Sequence, residues 1–115
     1  MEQEIPIPDK WRRTVATILR SGNHHSIITR DSADKDWGAA FPNAWDFDRF
    51  EAMASTLEEQ IDGRQILTME EPGETWAFWF YFKKRKVYGK INLMPDGKLI
   101  VIYSSHIPRK GEDKL

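Results

Sequence analysis

The sequence predicts an α+β fold, with two N-terminal helices packed on one face of a four-stranded antiparallel meander. Three observations carry this. Apolar residues recur at helical spacing in two early segments, a dense aromatic run begins at Trp76, and period-two alternation follows it. With 115 residues the chain suits one domain, helical over about 8–62 and sheet over about 64–106. There is no cysteine, so disulfide and thiolate chemistry are excluded.

In order, Ile5 to Pro8 is an extended lead-in. A first helix starts near Pro8-Asp9, carries Trp11, Val15, Ile18 and Leu19 on one stripe, and stops near Ser21-Gly22. Arg12, Arg13 and Arg20 fall off that stripe and are expected in solvent. In Asn23 to Ala44, Ile27-Ile28-Thr29 suits a short strand and Asp31 to Asp36 a turn-rich loop or helix cap. Trp37, Phe41 and Trp45 should pin that segment to the body. His24-His25 lacks metal-ligand spacing and reads as a pair of loop histidines. A second helix is capped by Asp46, with Phe47, Phe50, Met53, Ala54, Leu57 and Ile61 facing inward, and ends at Asp62-Gly63.

A first strand then spans Arg64 to Met69, and Glu70 to Glu74 turns the chain into the aromatic strand Trp76 to Phe82. Lys83 to Lys86 reads as a four-residue turn into Val87 to Leu93. Pro95-Asp96-Gly97 turns into the last strand, Leu99 to Ser104. The expected register pairs Phe82 with Val87, Phe80 with Gly89, Phe78 with Ile91 and Trp76 with Leu93. The second hairpin pairs Met94 with Lys98, Ile91 with Val101, Lys90 with Ile102 and Tyr88 with Ser104. One face then holds the apolar row. The other holds Trp79, Tyr81, Lys86, Tyr88, Lys90, Asn92, Ser104 and His106, and is the candidate functional face.

Charge is divided along the chain. Residues 1–75 carry 8 Lys/Arg and 15 Asp/Glu, net −7, whereas residues 76–115 carry 9 and 3, net +6. A basic face bearing aromatics suits a polyanion such as RNA. The acidic N-terminus is unlike a signal peptide, and no apolar run approaches the roughly 20 residues of a bilayer span, so a cytoplasmic location without membrane contact is expected.

The segment VYGKINLMPDGKLIVIYSSHIP resembles the closing hairpin of RelE-, MqsR- and colicin D-like toxins. The order of helical part and meander is similar to the wider barnase–EndoU–colicin–RelE superfamily. The resemblance implies a metal-independent ribonuclease, a hydrolase needing no cofactor, often a toxin paired with an antitoxin or immunity protein. Its carry-over is limited to Tyr88, Lys90, Ser104 and His106.

The chemistry can be stated independently. Metal-free RNA cleavage needs a base for the 2′-hydroxyl, an acid for the leaving 5′-oxygen and a cation for the developing charge. His106 suits proton transfer, with Lys90 and Tyr88 beside it as the other catalytic candidates. Lys86 and Arg109 suit phosphate holding, and Trp79 and Tyr81 suit base stacking. A noncatalytic nucleic-acid-binding protein would use the same face. An immunity or antitoxin protein would instead present the acidic half to a toxin partner.

Overall fold

The computed structural model describes residues 3–108 and 114–115. The chain runs β1 (Ile5–Pro6), α1 (Asp9–Ser21), β2 (Ile27–Thr29), α2 (Asp31–Ala40), α3 (Asp46–Leu57), β3 (Asp62–Ile66), β4 (Glu74–Phe82), β5 (Arg85–Leu93) and β6 (Ile100–His106). The α+β class holds, with three helices among the described residues in place of two. The sheet has six strands in the order β1-β3-β4-β5-β6-β2. The expected meander β3 to β6 is its antiparallel centre, and β2 adds a parallel edge against β6.

Periodicity explains the core. On α1, Trp11, Val15 and Leu19 are buried, and each large side chain contributes about 2 kcal/mol by leaving water. Gly22 adopts a left-handed φ of 62° and closes the helix. On α3, Phe50, Met53, Ala54 and Leu57 are buried. These stripes meet Trp76, Phe78, Phe80, Val87 and Ile91 in one cluster. Gly89 gives the rings room there, since a Cβ would lie a tight 3.1 Å from Phe78 Cζ and 3.2 Å from Phe80 Cδ1.

Residues 31–36, expected as a turn-rich loop or helix cap, instead belong to α2, which buries Ala33 and, as expected, Trp37. Trp37 packs on Phe41 and Phe82, with ring centroids 4.6 and 5.1 Å away. Trp45 is 77% exposed and Phe47 60% exposed, against the expectation that both pack inward. The inward position near the start of α3 goes instead to Arg49, fully buried over Trp37 and Phe50 and paired with Asp34 at 2.9 Å and Asp46 at 3.1 Å. Asp46 is the first residue of α3. The cap is Trp45, whose N–H donates to Asp48 Oδ2 at 2.9 Å.

Arg12 also departs from its expected place in solvent. Only 5% exposed, it donates to the carbonyls of Ile7 at 3.1 Å, Leu57 at 3.0 Å and Glu59 at 2.6 Å, and pairs with Asp9. It thereby ties the start of α1 to the end of α3. Arg20 does lie in solvent, paired with Glu58 at 2.6 Å.

The register of the first hairpin differs from expectation by two residues. Phe82 faces Arg85, Phe80 faces Val87, Phe78 faces Gly89 and Trp76 faces Ile91. The turn is therefore two residues long, Lys83 and Lys84, both left-handed with φ of 51° and 65°. Two positive φ values match the right-handed strand twist, which is why short hairpins adopt them. A slip of two leaves every side chain on its expected face.

Two outcomes follow. Arg12→Ala should cost about 3 kcal/mol in urea unfolding, because three carbonyls, two of them in buried contacts, lose a charged donor. Arg13→Ala, at an exposed position, should stay within about 0.5 kcal/mol. Replacing Lys83-Lys84 by Asn-Gly should stabilise the protein by about 1–2 kcal/mol, since the left-handed region costs an ordinary residue that much.

Candidate nucleic-acid interface

The helices cover one sheet face, and the loop 67–73 folds over part of the other. Asn92 Nδ2 donates to Pro72 O at 2.9 Å, and Thr75 Oγ1 donates to Asn92 Oδ1 at 2.9 Å. Beneath that loop Thr75, Asn92 and Val101 are buried. Beyond it the face is only partly open, with Ala77 buried and the candidate residues half-buried in two neighbouring rows.

The first row crosses three strands as Trp79, Tyr88 and His106. Trp79 meets Tyr88 edge to face at 5.7 Å and 80°, and Tyr88 stacks on His106 at 5.0 Å and 20°. Tyr88 was expected opposite Ser104, and two local features change that pairing. The second turn is one residue longer than expected, Met94 N–H donating to Leu99 O at 2.9 Å. A bulge then leaves Tyr103 as the extra residue, between the Ile91–Ile102 and Lys90–Ser104 pairs. Together they move His106 opposite Tyr88.

The second row is Arg64, Ala77, Lys90 and Ser104. Lys90 therefore faces Ser104 and not Ile102, and sits diagonally from His106, a separation of about 7–8 Å between such positions. Half-burial and the nearby Arg64 guanidinium both hold the Lys90 ammonium below its ordinary pKa of 10.5. Two cations flank an alanine whose small side chain leaves them room. An anion placed between them would offset the cost.

His106 Nδ1 lies 3.0 Å from Ile107 O. A carbonyl only accepts, so in the neutral ring the proton sits on Nδ1 and Nε2 keeps its lone pair. The ring also borders a cavity of about 220 Å³ with Asp36, Ala39 and Ala40 of α2. Lys86 Nζ lies 4.1 Å from the Trp79 ring centre, a close cation–π contact. Tyr81, 61% exposed, pairs with Lys86 at the hairpin end. Arg109 lies outside the described residues.

Tyr103 and Arg30 belong to this neighbourhood and were not nominated from sequence. The Tyr103 ring has Arg30 Cζ 5.2 Å and Lys90 Nζ 5.9 Å from its centre. A cavity of about 650 Å³ beside Trp11, Glu74 and Met94 contains none of these residues. His24 and His25 are exposed, and no group of three or more metal-ligating side chains converges among the described residues. No described helix is long and apolar enough to cross a membrane.

Comparison with known proteins found no matching family model, curated protein or solved structure. A functional reading therefore stands on this geometry.

The Lys90 environment makes a measurable claim. Its pKa is lowered on folding, so the unfolded chain binds the extra proton and stability rises as pH climbs toward the ordinary lysine value. Lys90→Met should flatten that rise and raise the melting temperature at neutral pH, as read by thermal melts across an alkaline pH series. An unchanged pH profile would show that Lys90 is fully solvated.

Proposed function

We propose that the open sheet face binds single-stranded RNA and cleaves it without a metal ion. The observation that carries this is the convergence of Tyr88, Lys90 and His106, two on one strand face and the third directly opposite Tyr88. Their residue types supply proton transfer and phosphate binding within the width of one nucleotide. A base stacking on Trp79 would displace the Lys86 ammonium from the ring, freeing it for the adjoining phosphate.

In the cleavage step, His106 Nε2 takes the proton of the 2′-hydroxyl. The 2′-oxygen attacks the adjacent phosphorus, and the bond from phosphorus to the 5′-oxygen breaks. Lys90 stabilises the charge on the phosphoryl oxygens, and the Tyr88 hydroxyl gives its proton to the leaving 5′-oxygen. The products are a 2′,3′-cyclic phosphate and a 5′-hydroxyl. An antitoxin or immunity partner of such an enzyme would act by covering this face.

Purified protein incubated with RNA in EDTA should generate 2′,3′-cyclic termini. His106→Ala should slow this by roughly 100- to 10,000-fold while leaving the circular dichroism spectrum intact. Retained rate in His106→Ala would remove His106 as catalyst. RNA binding that weakens with salt, but without cleavage by either protein, would leave a noncatalytic RNA-binding face.

A further inference from the structure

A second cavity adjoins the Lys90 row. It measures about 240 Å³ and is lined by Arg30, Thr68, Met69, Glu70, Glu71 and Tyr103. Arg30 enters from the end of β2, whose parallel pairing carries the chain to β6, where Arg30 N–H donates to Ile102 O at 3.0 Å. Glu71 enters from the loop that covers the sheet. The two side chains are ion-paired, yet the Arg30 side chain remains 46% exposed and that of Glu71 35%. The Tyr103 hydroxyl oxygen is buried and has no hydrogen-bond partner among the described residues. The bulge places Tyr103 here, between Arg30 and Lys90.

On the RNA reading of this face, we infer that this cavity is a base subsite selective for guanine. The reason is the order of donors and acceptors. Arg30 offers N–H donors, and beside it Glu71 offers carboxylate oxygens that only accept. Along its pairing edge guanine presents an acceptor at O6, then donors at N1 and N2, so Arg30 serves O6 while Glu71 accepts from both nitrogens. Adenine presents a donor at N6 and an acceptor at N1, placing like against like at both side chains. Uracil matches at O4 and N3 but turns an acceptor, O2, toward the second carboxylate oxygen. Inosine keeps O6 and N1–H and lacks the third contact. The expected order is guanine first, inosine and uracil between, and adenine last.

The position fits one nucleotide. Tyr103 is at once a wall of the cavity and a ring whose centre lies 5.9 Å from Lys90 Nζ, so a base in the cavity sets its own phosphate toward Lys90. The ribose then lies toward the row containing His106.

The test separates this subsite from the cleavage reading. Full-length isotope-labelled protein is titrated at low salt with 3′-GMP, 3′-IMP, 3′-UMP and 3′-AMP, following the amide signals of Thr68, Met69, Glu71 and Tyr103. 3′-GMP should bind about 10-fold or more tightly than 3′-AMP. Glu71→Gln should erase most of that preference while its spectrum stays that of the folded protein. Equal affinities for the four nucleotides, or shifts that avoid these four residues, would overturn the subsite. If RNA is held or cut on the sheet face without base preference, the subsite fails and the RNA reading stands. If 3′-GMP fills the cavity but RNA is neither bound nor cut, the RNA reading fails and the cavity is a mononucleotide site.

Discussion

Phe78 and Phe80 pack against Gly89 so closely that a Cβ there would meet both rings within 3.2 Å. This packing holds β4 and β5 together on the helical side, and period-two geometry decides what the other side displays. While Trp76, Phe78 and Phe80 point into the core, Trp79 and Tyr81 must point away from it. The helices bury one face, so the rings and lysines between the core positions gather on the other. The open face is thus a consequence of how the core is built, and a change at Phe78 or Gly89 would disturb it.

Charge is handled differently on the two sides. Beneath the helices, buried cations are matched, with Arg12 satisfied by three carbonyls and Asp9, and Arg49 by Asp34 and Asp46. Such a cation is costly to bury and costlier still to leave without its partners. On the open face Lys90 and Arg64 are neighbours of like sign, and Lys86 rests on an indole. Under the proposed function, the half-buried Lys90 ammonium would be the group that an incoming phosphate meets.

Legibility in the sequence followed the strength of the periodic signal. The first helix was readable from Trp11, Val15 and Leu19, and Gly22 marked its end. The candidate face was readable too, because alternation survives a register slip of two. Residues 31–40 were not, since an Asp- and Ala-rich segment with few large apolar residues shows little stripe until Trp37 has something to pack on. The burial of Arg12 and Arg49 was hidden because their partners are distant carbonyls and the carboxylate of another helix. The facing of Tyr88 and His106 depended on a bulge at Tyr103 and a longer turn, neither marked by a distinctive residue. Arg30 and Glu71 meet only after a parallel strand and a loop have folded, and no local pattern announces that.

The Lys83-Lys84 turn has a kinetic consequence. Hairpins closed by residues that favour positive φ begin at the turn and zip outward, but two adjacent lysines repel each other and disfavour that conformation. Closure of β4 on β5 must then begin among the cross-strand rings, at Phe78, Phe80, Trp79 and Tyr88, with the tip formed last. Lys83 and Lys84 would belong to the late-forming structure, so substitutions there would act on the unfolding rate more than on the folding rate. On that order the cationic tip would open before the aromatic rows below it.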